Sequence, residues 1–182
     1  MRYLIKFLIM KFNHLIFFVL FSVTLNPALA DEGNKEISIY TGTFDIIDKE
    51  GDDQTSLFGI EHKNPNLFRD TFLGKFSPVS GGFMTGDSSV YLYTGVEGQY
   101  GIGRLKILPS FTPGFYEKGN GKDLGGALEF KSEIKLGLDI FENSRLGYSY
   151  SHISNNEWGD RNPGTDNQHI TFSKIFIIIT IV

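Results

Sequence analysis

Leu124-Gly-Gly-Ala-Leu-Glu-Phe-Lys-Ser-Glu-Ile-Lys-Leu-Gly-Leu-Asp-Ile-Phe141 is the stretch on which the fold turns. Leu128, Phe130, Ile134, Leu136, Leu138 and Ile140 recur at every second position, interrupted only by Ser132, while Glu129, Lys131, Glu133, Lys135 and Asp139 occupy the alternate positions. A period of two places one set on each face of a β-strand. Read as one strand, the segment runs for about eighteen residues, far beyond the five or six usual in soluble sheets. A tilted strand crossing an outer membrane needs roughly nine to eleven residues plus overhang. In that setting the apolar face meets lipid and the alternating charges pair across a lumen. A soluble lipocalin-like barrel has the same strand number with the faces reversed, and is the competing fold.

Seven further segments share the alternating character and are bounded by turn residues: Glu36–Ile47, Thr55–Lys63, Gly74–Thr85, Ser88–Gly101, Arg104–Lys118, Arg145–Ser154 and Gln168–Phe176. The connections Lys49-Glu50-Gly51-Asp52-Asp53, Gly86-Asp87, Gly101-Ile102-Gly103, Gly119-Asn120-Gly121 and Glu142-Asn143-Ser144 carry turn chemistry. Pro78 and Gly81-Gly82 make the third segment the weakest, because proline lacks a ladder donor and belongs at an edge or bulge. The expected fold is all-β, an eight-stranded antiparallel transmembrane β-barrel. At eight strands side chains fill the interior, and closure removes the sheet edges that lipid cannot satisfy.

The first thirty residues read as an export signal. Arg2, Lys6 and Lys11 precede an apolar run from Leu15 to Leu25, and Ala28-Leu29-Ala30 supplies small residues for cleavage. Met10 opens a leader of better proportions than Met1. The expected domains are therefore a signal peptide over 1–30 and one barrel domain over 31–182. The latter keeps 14 of the 17 basic residues and all 21 acids, a formal charge of −7. No basic patch points to nucleic acid. With no cysteine in the chain, disulfide and thiolate-metal chemistry are excluded.

The seventh segment carries the candidate chemistry. Leu146, Tyr148, Tyr150, His152 and Ser154 share one face, and Gly147, Ser149, Ser151 and Ile153 the other. Small residues suit a crowded lumen, which puts His152 and Ser154 on the lipid-facing wall. Residues i and i+2 lie roughly 6.6 Å apart along a strand, within reach of a histidine side chain. Serine needs an adjacent base, and the histidine needs a partner that fixes its tautomer and steadies its cation. Asp166 follows just after the returning loop, in phase with Ile170 and Phe172, so all three groups can meet on one wall. His62 and His169 read as rim or interior residues. Glu157 and Asp160 are competing acids within the loop.

Ser151-His-Ile-Ser-Asn155, then Asn162-Pro-Gly164, then Asp166, resembles the PagL-like lipid A 3-O-deacylases, a family of outer-membrane acyl hydrolases. The motif covers about fifteen residues. The resemblance implies an eight-stranded barrel in the outer membrane that hydrolyses the 3-linked acyl ester of lipid A by a Ser-His-acid mechanism. The family's His-x-Ser-Asn falls on His152, Ser154 and Asn155, and its Asn-x-Gly on Asn162 and Gly164. Its acid, usually glutamate, falls on Asp166, one methylene shorter. The roles implied are Ser154 as nucleophile, His152 as base, Asp166 as orienting acid, and Asn155 and Asn162 as oxyanion donors. Neither a metal nor an organic cofactor is required. The implied partners are lipopolysaccharide and outer-membrane lipids, with a homodimer left open. Such barrels commonly end on an aromatic residue. Phe176 fills that place, and Ile177 to Val182 depart from the pattern. A non-catalytic structural or adhesive barrel is the alternative from another class, and a phospholipase-like esterase the enzymatic one, though its barrel is larger than this chain allows.

Overall fold

The architecture is a closed antiparallel β-barrel, seen in a computed structural model that describes residues 35–47, 54–65, 69–72 and 74–176. The leader segment 1–30, the turn 49–53 and the tail 177–182 lie outside the described residues. The strands are β1 (Lys35–Phe44), β2 (Thr55–Lys63), β3 (Arg69–Thr71), β4 (Gly74–Thr85), β5 (Val90–Ile102), β6 (Leu105–Glu117), β7 (Leu128–Phe141), β8 (Ser144–Ser154) and β9 (Thr165–Phe176). Each long strand pairs antiparallel with its neighbours, and the β2–β4 ladder from Leu57↔Thr85 to Lys63↔Val79 closes the ring. The three-residue β3 lies along the start of β4 (Arg69↔Phe76) beyond the end of that ladder, so the barrel has eight staves.

The alternation of β7 is realised as read. Glu129, Lys131, Glu133 and Lys135 are buried inside, while Ile134, Leu136 and Leu138 are exposed on the outer wall. Inside, the charges neutralise one another. Lys63 Nζ meets Glu97 at 2.8 Å and Glu36 at 2.9 Å, Lys135 meets Glu61 at 3.0 Å and Glu97 at 3.1 Å, and Lys131 meets Glu133 at 2.8 Å. His169 also points inward, 3.5 Å from Glu133. Deleting one member of such a network strands its partner's charge, at a cost of about 3–5 kcal/mol. A charged interior behind an apolar wall is the reverse of a lipocalin and the pattern of a transmembrane barrel.

One end of the lumen is apolar. Phe44, Leu57, Phe83, Tyr91, Tyr116 and Ile153 join one buried cluster where β1, β4, β6 and β8 finish. Phe44 and Tyr116 stack there at 6.3 Å. This cluster is the floor beneath the connection from β8 to β9.

Three strand boundaries differ from the sequence reading by three residues or more, the first being β1, which ends at Phe44 rather than Ile47. β7 starts at Leu128, not Leu124. Gly125 takes φ +91° and its N–H is held by the Asp123 carboxylate at 2.9 Å, which turns the chain before it can extend. β9 starts at Thr165, three residues before Gln168, because Ile153 and His152 provide ladder partners for Thr165 and Asp166. Pro78 meets its expected condition. Its carbonyl accepts from Asn64 N–H at 3.3 Å on the β2 side, where the β2–β4 ladder has just ended, so the missing proline N–H breaks no rung.

Candidate active site

β8 sorts its side chains by size. Gly147, Ser149, Ser151 and Ile153 turn into the crowded lumen, while Leu146, Tyr148, Tyr150 and His152 stand on the outer wall. The His152 side chain is 49% exposed on that wall. In the ladder Ser132 of β7 lies opposite it on one side and Asp166 of β9 on the other.

Direct opposition places the two β-carbons about 4.5–5.5 Å apart, and a short carboxylate then suffices. Asp166 Oδ1 lies 3.0 Å from His152 Nδ1. A carboxylate only accepts, so Nδ1 carries the proton and donates it, which leaves Nε2 as the basic nitrogen of the neutral ring. The same Oδ1 accepts the hydroxyl of Tyr150 at 2.7 Å. Asp166 thus lies within the strand, rather than at the mouth of the loop.

Ser154 is the last residue of β8, in phase with His152 and half-buried, opposite Phe130 of β7. Among the described residues no hydrogen bond joins its Oγ to His152. Spacing brings the pair to one face of β8. Beside Ser154 the wall is aromatic: Phe130 stacks on Phe111 at 6.1 Å and meets Trp158 edge-on at 5.2 Å. Gly164, buried with φ +65°, passes against the imidazole. A Cβ built there falls 3.1 Å from His152 Cε1 and 3.4 Å from Nε2. Only glycine suits both that backbone conformation and that closeness.

The two asparagines differ. Asn155 follows Ser154 and its side chain is fully buried. Its Nδ2 donates to the carbonyls of Leu124 at 2.9 Å and Arg161 at 2.8 Å, using both amide hydrogens. Its backbone N–H donates to Asn162 Oδ1 at 3.1 Å. The Asn155 side chain, expected as an oxyanion donor, faces inward here with both amide hydrogens bonded to carbonyls. Asn162 is exposed, and its amide orientation follows from chemistry: the atom facing an N–H must be the oxygen. Its Nδ2 is turned the other way.

Asn155 also ties the β8–β9 connection to the segment before β7. The residues following Asp123 form a shelf on which the β8–β9 connection docks. Besides the Asn155 bond to Leu124, Asp160 N–H donates to Gly125 O at 3.2 Å, and Arg161 pairs with Asp123 at 3.2 Å. Tyr150 and Gly164 are the residues whose contacts the sequence reading missed. Tyr150 left one signal, an aromatic hydroxyl two positions before the histidine on the same face. Gly164 was noted only as part of a motif.

A family model for lipid A 3-O-deacylase (PagL) matches residues 57–174. The fold is similar to the crystal structure of the outer membrane enzyme PagL, with 15% sequence identity and a TM-score of 0.58 over 76% of this chain and 98% of that one. It is also similar to a structure from the de novo design of transmembrane β-barrels, with 10% identity and a TM-score of 0.54 over 81% and 98% of the two chains. Among curated proteins the sequence finds no significant match.

Proposed function

The chain belongs to the lipid A 3-O-deacylase (PagL) family, and we propose that it is a serine esterase of the outer membrane that hydrolyses the 3-linked acyl ester of lipid A in the outer leaflet. The observation that carries this reading is the His152–Asp166 pair, 3.0 Å apart on an outward wall and two positions from a serine. A hydrophilic pair on a lipid-facing surface is expensive unless it serves a purpose. An amphiphilic substrate can approach such a wall sideways within the bilayer.

In the proposed reaction His152 Nε2 takes the proton of Ser154 as Oγ attacks the ester carbonyl carbon. Asp166 steadies the imidazolium through Nδ1–H. The oxyanion accepts hydrogen bonds from Asn162 Nδ2 and from water or main-chain N–H groups at the turn. Collapse of the tetrahedral intermediate breaks the bond to the lipid A 3-oxygen, which leaves with the proton held by His152. Water, deprotonated by the same nitrogen, then attacks the acyl-enzyme and releases the fatty acid. The aromatic surface of Phe130, Phe111 and Trp158 offers the acyl chain an apolar bed beside Ser154. Export by a cleaved leader over residues 1–30 delivers the barrel to this membrane. Every group in the scheme comes from one chain, so the reaction does not depend on a homodimer.

Mass spectrometry of lipid A from cells with and without this protein tests the reading. Loss of one acyl chain, mapped to the 3 position, is expected. Unaltered lipid A in cells whose outer membranes contain the folded barrel overturns it.

A further inference from the structure

Tyr150 stands on the outer wall one step below the reacting pair, and its ring leans along the strand instead of across it. Its ladder partner is Gln168, yet its hydroxyl reaches the diagonal neighbour Asp166 at 2.7 Å. Tyr148 leans the same way, from its partner Ile170 to Gln168 Oε1 at 2.9 Å. Diagonal neighbours on one face lie within reach of long aromatic side chains. Two donors of β8, Tyr150 and His152, therefore close on a single oxygen of a β9 carboxylate.

We infer that Tyr150 is a positioning residue of the esterase site, holding Asp166 in the rotamer that pairs with His152; the inference rests on the reading above. The argument is one of chemistry and setting. A carboxylate on a wall that faces hydrocarbon is costly unless its charge is met by hydrogen bonds. His152 supplies one donor, and a neutral histidine is a modest one. The Tyr150 hydroxyl supplies a charge-assisted bond, the shorter and stronger kind. It also comes from the side away from the external loops, so Asp166 cannot swing down the wall. The shortness of aspartate makes this restraint useful, since the side chain reaches His152 Nδ1 in few orientations. Tyr150 acts on Asp166 and, through it, on His152. It does not touch the reacting atoms.

The test is a double-mutant cycle on the purified full barrel, assayed for release of fatty acid from lipid A in detergent micelles. Tyr150→Phe should lower kcat about ten- to hundredfold, the range expected for losing one hydrogen bond to a charged group, with KM little changed. In an Asp166→Ala background the same substitution should have no further effect, because its target is gone. Tyr148→Phe removes an equivalent hydroxyl that meets Gln168, and should leave the rate at the parent level. Heat-modifiable gel mobility verifies folding of each variant. Parent-like turnover of Tyr150→Phe, an equal loss in the Asp166→Ala background, or an equal loss from Tyr148→Phe each overturns the inference. Ser154→Ala in the same assay separates the two claims. If Ser154→Ala is inactive and Tyr150→Phe turns over at the parent rate, the esterase reading stands and this inference falls. If Ser154→Ala keeps the parent rate, the esterase reading itself fails.

Discussion

Asp166 lies directly across the β8–β9 ladder from His152, and its Oδ1 accepts the Nδ1 proton at 3.0 Å. The two residues are fourteen positions apart in the chain, joined by a loop that leaves the wall and returns to it. Their opposition means that backbone pairing itself sets the distance between the two side chains.

Ser154→Ala removes the proposed nucleophile and His152→Asn the proposed base. Each variant should lose nearly all release of the 3-linked acyl chain, by a factor of at least about 10⁴, the scale seen when members of such triads are removed. Heat-modifiable mobility should be retained, since both side chains face outward and support no core. Parent-rate deacylation by both variants would falsify the assignment.

Asp166→Asn keeps the shape but can hold the histidine in the wrong tautomer. It should be severely impaired, with a residual rate above that of Ser154→Ala. Asp166→Glu restores the acid usual in the family. Because His152 lies straight across the ladder, the extra methylene can fold back, and measurable activity should remain. The comparison is made by rates on the same lipid A preparation.

The two asparagines should separate by readout. Asn162→Ala removes an outward amide, and about 10²–10³ in kcat is expected if it serves the oxyanion. Asn155→Ala deletes the buried bonds to Leu124 and Arg161, leaving two carbonyls without a partner. It should lower the temperature at which the barrel loses its compact gel form and expose the β8–β9 connection to protease. Faster proteolysis in Asn162→Ala than in Asn155→Ala would reverse this division of labour.

Gly164→Ala places a methyl 3.1 Å from His152 Cε1 at φ +65°. The ring must shift by a few tenths of an ångström, and the backbone strain adds about 1–2 kcal/mol. A fall in kcat with a nearly constant KM is expected, because the substitution disturbs the base and not the aromatic bed. Unchanged kcat would show that the imidazole position is not limiting.

Orientation follows from strand parity. With both ends of an eight-stave barrel on the periplasmic side, the β8–β9 connection is expected outside the cell and the β7–β8 turn on the periplasmic side. The chain has no cysteine, so single cysteines report cleanly. Asp160→Cys should react with an impermeant thiol reagent on intact cells, while Glu142→Cys should react only after the envelope is opened. The opposite pattern inverts the barrel.

What was legible in the sequence is what depends on neighbours along the chain. Alternation in Leu128–Phe141 reveals which face is wet and which is apolar, because the pleat has a period of two wherever a strand is formed. The same rule places His152 and Ser154 together on the outer wall, and the Asn143 turn, with its φ of +56°, follows from a residue that tolerates the left-handed region. The tertiary structure decided what depends on residues far apart. The strand signal of Leu124–Ala127 was overridden because those residues carry the docked loop. Asn155, polar and adjacent to the serine, reads as a donor to substrate, and only the fold shows its amide bonded to the carbonyls of Leu124 and Arg161 in two separate connections. The grip of Tyr150 and His152 on one oxygen of Asp166 depends on the register of β8 against β9. Alternation leaves that register undetermined, since sliding the pair by two residues preserves every inward and outward assignment and separates Asp166 from His152.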